Sequence, residues 1–98
     1  MKLQIHSIHF DADQKLIDFI QKKADKLETF YDRIVDGEVF LRLNNQGIEN
    51  KTVEIKINIP GSQLFAKEEA KSFEEATDLA TEALRRQLRK TKVKQIAH

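Results

Sequence analysis

The residues with the clearest chemical potential lie near the C-terminal end, in a dense run of basic side chains. Six of the ten residues from Arg85 to Lys94 are basic and none is acidic: Arg85, Arg86, Arg89, Lys90, Lys92 and Lys94. The whole chain has 17 basic and 16 acidic side chains, so this run holds +6 while residues 1–84 hold 11 minus 16, or −5. Like charges packed this closely repel one another unless a partner neutralises them. The run therefore predicts binding of a polyanion.

A purely structural interpretation explains only part of this basic run. Cations near the C-terminus of a helix complement its dipole, each by a few tenths of a kcal/mol. Glu82 can also pair with Arg85 and Arg86, at i+3 and i+4, for a similar gain. These effects involve two or three cations in one helical turn and leave the others unexplained. The composition of the run favours polyanion binding over a solvated helix surface.

Other chemistries find little support in the sequence. The absence of Cys excludes disulfides, thiolate metal sites and Cys nucleophiles. His6 and His9 lie three apart on a predicted strand, so they point to opposite faces and do not suit one metal ion, while His98 is the terminal residue. The three glycines are isolated and form no phosphate-binding loop. We therefore predict no enzyme activity, no metal or other cofactor, and no small-molecule substrate.

Length and composition indicate one small globular domain. The 98 residues, 40% hydrophobic and 34% charged, suit a single domain over residues 1–98, with the last few residues disordered. Gln4, His6 and Ser7 interrupt the N-terminal segment before a signal peptide could form. No apolar run approaches the roughly 20 residues of a membrane span. We therefore expect a cytoplasmic protein without a membrane partner.

The first half of the chain predicts a strand followed by a helix. Residues 2–10 alternate between apolar and polar side chains, with a change of phase near Ser7 where the strand ends or bulges. Asp11 is a candidate helix cap, with Gln14 as its capping-box partner. Apolar residues then recur at helical spacing until about Tyr31 and Asp32, forming one stripe: Leu16, Ile17, Ile20, Ala24, Leu27 and Tyr31.

The second half predicts three strands and a long helix. The strands cover residues 38–43, 52–59 and 63–69, separated by a loop at 44–50 and a turn at Pro60 and Gly61. Ser72 and Glu75 have capping-box spacing, and the helix that they begin runs without Gly or Pro to at least Lys92. The predicted fold is an α+β, two-layer β-α-β-β-β-α domain, with a four-stranded mixed sheet and two helices on one face.

This fold places the two helices side by side. A lysine edge of the first helix, formed by Lys15, Lys22 and Lys26 with Lys23 nearby, then merges with Arg86, Arg89 and Lys90 into one positive surface. Aromatic residues are scarce in both clusters. The surface therefore favours phosphate contacts to a folded RNA over base stacking.

Several segments resemble the bacterial ribosome hibernation-promoting factors, which belong with the ribosome-associated inhibitor (protein Y) family. They are Lys26-Leu27 followed by residues 31–34 (Tyr-Asp-Arg-Ile), and above all residues 86–94 (Arg-Gln-Leu-Arg-Lys-Thr-Lys-Val-Lys). Asp78, in the middle of the second helix, also fits the family pattern. Arg85 and Arg89 are basic where the pattern does not require it, and Arg89 is retained as a candidate. The candidate rRNA-binding residues are Lys23, Lys26, Arg86, Arg89, Lys90, Lys92 and Lys94.

The resemblance implies a fold similar to a double-stranded RNA-binding domain. It also implies binding to the small ribosomal subunit and its rRNA in the A- and P-site channel. There the protein would block mRNA and tRNA, inhibit translation, and promote inactive or dimeric ribosomes in stationary phase. The chain looks like the short hibernation-promoting type, monomeric off the ribosome. The alternatives are a general binder of structured or double-stranded RNA, or a module that docks an acidic protein.

Overall fold

The computed structural model describes residues 1–44 and 50–96, with side chains described as far as Lys92. The elements are β1 (Leu3–Ile8), α1 (Gln14–Asp25), a 3₁₀ helix (Lys26–Thr29), β2 (Asp36–Leu43), β3 (Lys51–Ile59), β4 (Ser62–Ala70) and α2 (Phe73–Ile96). The sheet has the order β1-β2-β3-β4. Strands β1 and β2 are parallel, and the other two pairs are antiparallel. This arrangement confirms the predicted α+β fold with a mixed sheet.

One face of the sheet forms the core with both helices. Alternate residues of β2 and β3, among them Val39 and Ile55, are fully buried, and their strand neighbours face away. The buried stripe of α2, which includes Leu84 and Leu88, joins them in one cluster with Ile20 of α1. Fully burying a side chain of this kind stabilises the fold by about 1.5–3 kcal/mol. This shared core holds α1 and α2 next to each other on the same face.

The start of α1 differs from the prediction. The cap is Asp13, not Asp11: an Asp13 carboxylate oxygen accepts a hydrogen bond from the Leu16 backbone N–H at 2.8 Å. Gln14 is the first helical residue, so a cap must occupy the position just before it, which Asp11 does not. Instead, Gln14 donates its side-chain amide to Asp18 at 2.8 Å.

The end of α1 also differs, because the helix tightens before it stops. The α-helix ends at Asp25 and continues as the 3₁₀ helix, after which the N–H groups of Phe30 and Tyr31 both donate to the Leu27 carbonyl at 3.1 Å. Leu27 and Tyr31 remain buried, as the apolar stripe predicted. The tightened turn brings the exposed Phe30 to the α2 side of the domain.

The remaining boundaries lie within two residues of the predicted ones. Strand β1 ends at Ile8, and His9 adopts a left-handed φ of 65°, which is why the alternation changes phase there. Ser72 caps α2 by accepting a hydrogen bond from the Glu75 N–H at 3.1 Å. Gly61, in the predicted β3–β4 turn, has a φ of 77° that favours glycine. Most of the predicted loop at 44–50, and the predicted disordered end with His98, lie outside the described residues.

In the part of the chain that is described, no helix combines the length and the apolar character needed to cross a membrane. Within the same residues, no group of three or more His, Asp and Glu side chains is arranged to hold a metal ion.

Candidate nucleic-acid interface

The site begins where α1 and the 3₁₀ helix lie beside α2. Lys23 of α1 forms an ion pair with Asp78 of α2, with Nζ 2.8 Å from the carboxylate oxygen. Lys26, one turn after Lys23, and Arg85, two turns after Asp78, line the same depression of about 160 Å³ with Phe30 and Glu82. Lys23 of α1 and Lys26 of the 3₁₀ helix therefore meet the basic end of α2 on one side of the domain, whereas Lys15 and Lys22 are not among the residues that line this depression.

The depression continues along α2 toward the C-terminal end. Arg85, Arg89 and Lys92 line a second hollow of about 220 Å³ with Phe30 and Thr29. At about 100° per residue, positions i, i+4 and i+7 of a helix fall within about 60° of one another. That spacing puts these three cations on the edge of α2 that faces the 3₁₀ helix. We call Lys23, Lys26, Arg85, Arg89 and Lys92 the groove cations.

Two further cations of α2 face outward. Arg86 and Lys90 are exposed, and they lie about 100° and 140° around the helix from Arg85. They form a ridge beside the groove on its solvent side, and we call them the ridge cations. The seventh predicted residue, Lys94, lies on the described backbone of α2, but its side chain is outside the described residues. The structure thus brings six of the seven predicted residues onto one continuous surface.

Two acidic residues of α2 sit among these cations. Glu82 accepts hydrogen bonds from Arg85 Nη2 at 2.5 Å and Arg85 Nε at 3.2 Å, and it lies 3.9 Å from Arg86 Nη1. The hydrogen bond from Arg85 lowers the pKa of the Glu82 carboxyl, and the same bond raises the pKa of Arg85. Glu82 therefore stays ionised and fixes the Arg85 guanidinium, as Asp78 fixes Lys23.

Arg85 and Phe30 belong to this surface although the sequence interpretation left both out. The Arg85 guanidinium carbon lies over the Phe30 ring, 5.4 Å from its centroid, and Phe30 is 45% exposed. The predicted pairing of Arg85 with Glu82 is confirmed, and it also positions the Arg85 guanidinium in the groove. The i, i+4, i+7 spacing with Arg89 and Lys92 was the available signal. Phe30 adds one aromatic ring to a surface where the sequence predicted few.

The outer face of the sheet holds a separate polar cluster. His6 stacks on Phe40 with ring centroids 5.0 Å apart, and its Nε2 lies 3.0 Å from a carboxylate oxygen of Glu38. Arg42 pairs with Glu54 at 2.6 Å on the same face. This cluster lies on the sheet face away from the helices, and its Arg42 is matched by Glu54, so it does not extend the basic surface of the helices.

Comparison with known proteins identifies the family of the chain. The family model described as "Sigma 54 modulation protein / S30EA ribosomal protein" matches residues 3–96. The chain belongs to this family. The match spans β1 to the end of α2 and so includes every element that builds the basic surface.

Individual relatives carry names that agree with the family. A "Ribosome hibernation promoting factor" of Pseudomonas putida is 30% identical over 95 residues, which cover 97% of this chain and 90% of that protein. A "Ribosome hibernation promotion factor" of Bacillus subtilis is 31% identical over 96 residues, covering 96% of this chain and 50% of that protein. These relatives confirm the predicted resemblance to the hibernation-promoting factors.

Solved structures show the same fold. A ribosomal subunit interface protein of Coxiella burnetii superposes with a TM-score of 0.86 at 25% identity, covering 95% of this chain and 99% of that one. The N-terminal domain of Thermus thermophilus Protein Y superposes with a TM-score of 0.82 at 22% identity, covering 93% of this chain and 99% of that one. Hibernation factors are ribosome-binding proteins and not enzymes, so the family supports a ribosome-associated hibernation role and confirms the non-enzyme prediction.

Proposed function

We propose that this protein binds the small ribosomal subunit in the channel of the A and P sites, with its helical face against the rRNA. The observation that carries the proposal is the continuous basic surface formed by the groove and ridge cations. Arg and Lys side chains on a rigid helical frame suit contacts to phosphates, which position a protein on nucleic acid without reading its sequence. The family assignment makes the ribosome the natural source of that nucleic acid.

The arrangement of charges supports binding to a shaped RNA. The groove cations line a trough between two helices, and the ridge cations stand beside it, so the surface presents positive charge at two levels. RNA helices and their junctions are recognised mainly through shape and through phosphate and 2′-OH contacts. A two-level cationic surface fits such a target better than a flat electrostatic patch. Lys94 extends the proposed contact set along α2.

The proposed action is occlusion. A bound domain would occupy space that mRNA and tRNA need, so translation would be inhibited without any covalent step. Inactive or dimeric ribosomes in stationary phase would follow from this block, and we place the protein in the cytoplasm as a monomer before it binds. Occlusion requires a rigid domain that is held by many phosphate contacts. The shared core of α1 and α2 provides the rigidity.

Sedimentation of ribosomes with the purified protein tests the proposal. The protein is expected to co-sediment with small subunits, and to persist there when duplex RNA is added in excess. Loss of the protein to the duplex RNA would instead show a general binder of structured RNA. The affinity should also fall steeply with salt, by about 0.7–0.9 logarithmic units per phosphate contact for each tenfold increase. A flat salt dependence would point to an acidic protein partner.

A further inference from the structure

The groove contains an exposed aromatic side chain that phosphate binding does not use. Phe30 is 45% exposed, and it borders three hollows along the groove: the two already described and a third of about 470 Å³ lined also by Tyr31 and Lys92. The Arg85 guanidinium over the ring contributes only weakly to stability at an exposed site. Exposure alone does not set Phe30 apart, since Phe65 is equally exposed; its place among these cation-lined hollows does. Its position at the junction of the hollows indicates a contact with a ligand.

We infer that Phe30 and Arg85 form a stacking site for one unpaired base of the bound RNA. The site rests on the proposed function and specifies it, because it names an unpaired nucleotide at a defined place in the groove. Unpaired bases in RNA are bound by stacking on aromatic rings or on the planes of Arg guanidinium groups. Phe30 supplies the ring and Arg85 supplies the guanidinium, which lies 5.4 Å from the ring centroid.

The neighbouring contacts hold the two groups in place. Glu82 accepts two hydrogen bonds from Arg85, so the guanidinium has a fixed orientation near the ring. The Phe30 backbone N–H donates to the Leu27 carbonyl at 3.1 Å, which fixes the backbone position from which the ring projects, and the Arg85 guanidinium covers one side of the ring. A base that enters the groove therefore meets a preorganised pair of planar groups instead of two mobile side chains.

The surrounding charge selects the class of ligand. Arg89 and Lys92 line the hollow on the C-terminal side of Phe30, and Lys26 lines the one on the opposite side. A base stacked on Phe30 would have cations on both sides for the phosphates that flank it in the strand. An apolar protein side chain could use the ring but not these cations. Charge complementarity thus favours a nucleotide as the occupant.

The test uses purified small subunits and three variants of Phe30. Phe30→Ala and Phe30→Leu are both expected to weaken binding roughly 5- to 150-fold, the range for one stacked base. Leu keeps apolar volume but has no planar face, so it separates stacking from a general apolar contact. Phe30→Trp should bind at least as well as the wild type. Because the chain has no other Trp, its fluorescence reports on this position alone and should be quenched on binding.

Phe65 provides the matched control. It is 44% exposed, nearly the same as Phe30, but it lies on the opposite face of the domain, on β4. Phe65→Ala should bind like the wild type, and Phe65→Trp should show no quenching. Thermal melts of all variants should stay close to the wild type, because neither ring is buried.

Three results would overturn the inference. One is Phe30→Leu binding as tightly as the wild type, which would show a plain apolar contact. Another is that Phe30→Ala binds small subunits weakly while the fluorescence of Phe30→Trp is not quenched on binding. That combination would place a protein surface over the ring. The third is no effect of either Phe30→Ala or Phe30→Leu on a wild type that does bind. If the wild type itself fails to bind small subunits, the proposed function fails first and this site with it.

Discussion

Neutralising the ridge cations should weaken subunit binding without unfolding the protein. The change is Arg86→Gln together with Lys90→Gln, which removes two positive charges from the outer side of α2. Both side chains are exposed, and the Arg86 side chain is 61% accessible. If each contacts one phosphate, the slope of log affinity against log salt should fall in magnitude by about 1.4–1.8. Charge reversal at the same two positions, to Glu, should abolish binding.

The same numbers set the size of the effect at a given salt concentration. Two phosphate contacts account for about a 7- to 12-fold loss of affinity over a fourfold rise in salt. The wild type should therefore lose about 7- to 12-fold more affinity than the Gln variant between roughly 50 and 200 mM salt. Affinities measured for small subunits at several salt concentrations give both slopes directly.

Thermal stability should change little in the Gln variant. The ion pair between Arg86 and Glu82 is exposed and spans 3.9 Å, so its loss costs about 0.2–0.5 kcal/mol. In a domain of this size that corresponds to about 1–4 °C in the melting temperature. A much larger fall would show that these cations serve the fold, and the structural interpretation of the basic run would then be the better one.

A matched pair of lysines elsewhere separates a local contact from net charge. Lys67 and Lys71 are both exposed and lie on or next to β4, away from the groove. Changing both to Gln alters the net charge by the same amount as the ridge variant. The salt slope should then equal that of the wild type. Equal reductions of slope in both variants would refute a defined contact at the ridge.

Three further predictions concern the frame that holds the surface. Leu84→Ala should lower the free energy of unfolding by about 2–5 kcal/mol in urea titration, because Leu84 is fully buried. Thr77→Val should raise it by about 1–2 kcal/mol in the same assay, because the buried Thr77 hydroxyl has no hydrogen-bond partner among the described residues. Burial alone would raise the pKa of Asp25, but hydrogen bonds from the Met1 ammonium group and Gln21 outweigh it and lower the pKa. Asp25 therefore stabilises the fold above its ordinary pKa of about 3.8, and this contribution is lost as the pH falls through the lowered value. Melting curves from pH 3 to 6 should show a smaller acid-side loss in Asp25→Asn than in the wild type, and equal losses would contradict the pairing.

The fold was predictable because its signals are local and agree with one another. Strand β3 shows strict alternation, with Val53, Ile55, Ile57 and Ile59 all buried, and both helices have a continuous apolar stripe. The errors at α1 arose where local signals compete. Asp11 and Asp13 are both good caps, and only the tertiary position of the first turn decides between them. Strand β1 is shorter than predicted because the chain turns at His9. In the side-chain pattern this backbone change is visible only as a shift of phase.

The site was less predictable because it depends on contacts between distant segments. The sequence indicates that Arg85 can pair with Glu82, which accounts for its charge without any ligand. Only the packing of the 3₁₀ helix against α2 places that guanidinium over Phe30. In the same way, the sequence does not distinguish Lys23 from the other lysines of α1. Its ion pair with Asp78, which links it to α2, is visible only in the structure. Spacing along a helix predicts which residues share a face, but not which element that face will meet.

The net negative charge of residues 1–84 favours one orientation of the protein toward a polyanion. Residues 1–84 hold −5 and residues 85–94 hold +6, so the charge asymmetry lies along α2, which is about 36 Å long at 1.5 Å per residue. A polyanion attracts the C-terminal half of α2 and repels most of the remaining surface. Electrostatic steering of this kind orients a protein before contact and raises the rate of productive encounters. Asp78 and Glu82 lie at the boundary of the two regions, where each fixes a cation of the groove. Their presence reduces the total positive charge, but each holds one groove cation, Lys23 or Arg85, in a fixed position. For the proposed docking on a shaped RNA, which requires one orientation, this arrangement serves better than a uniformly basic surface.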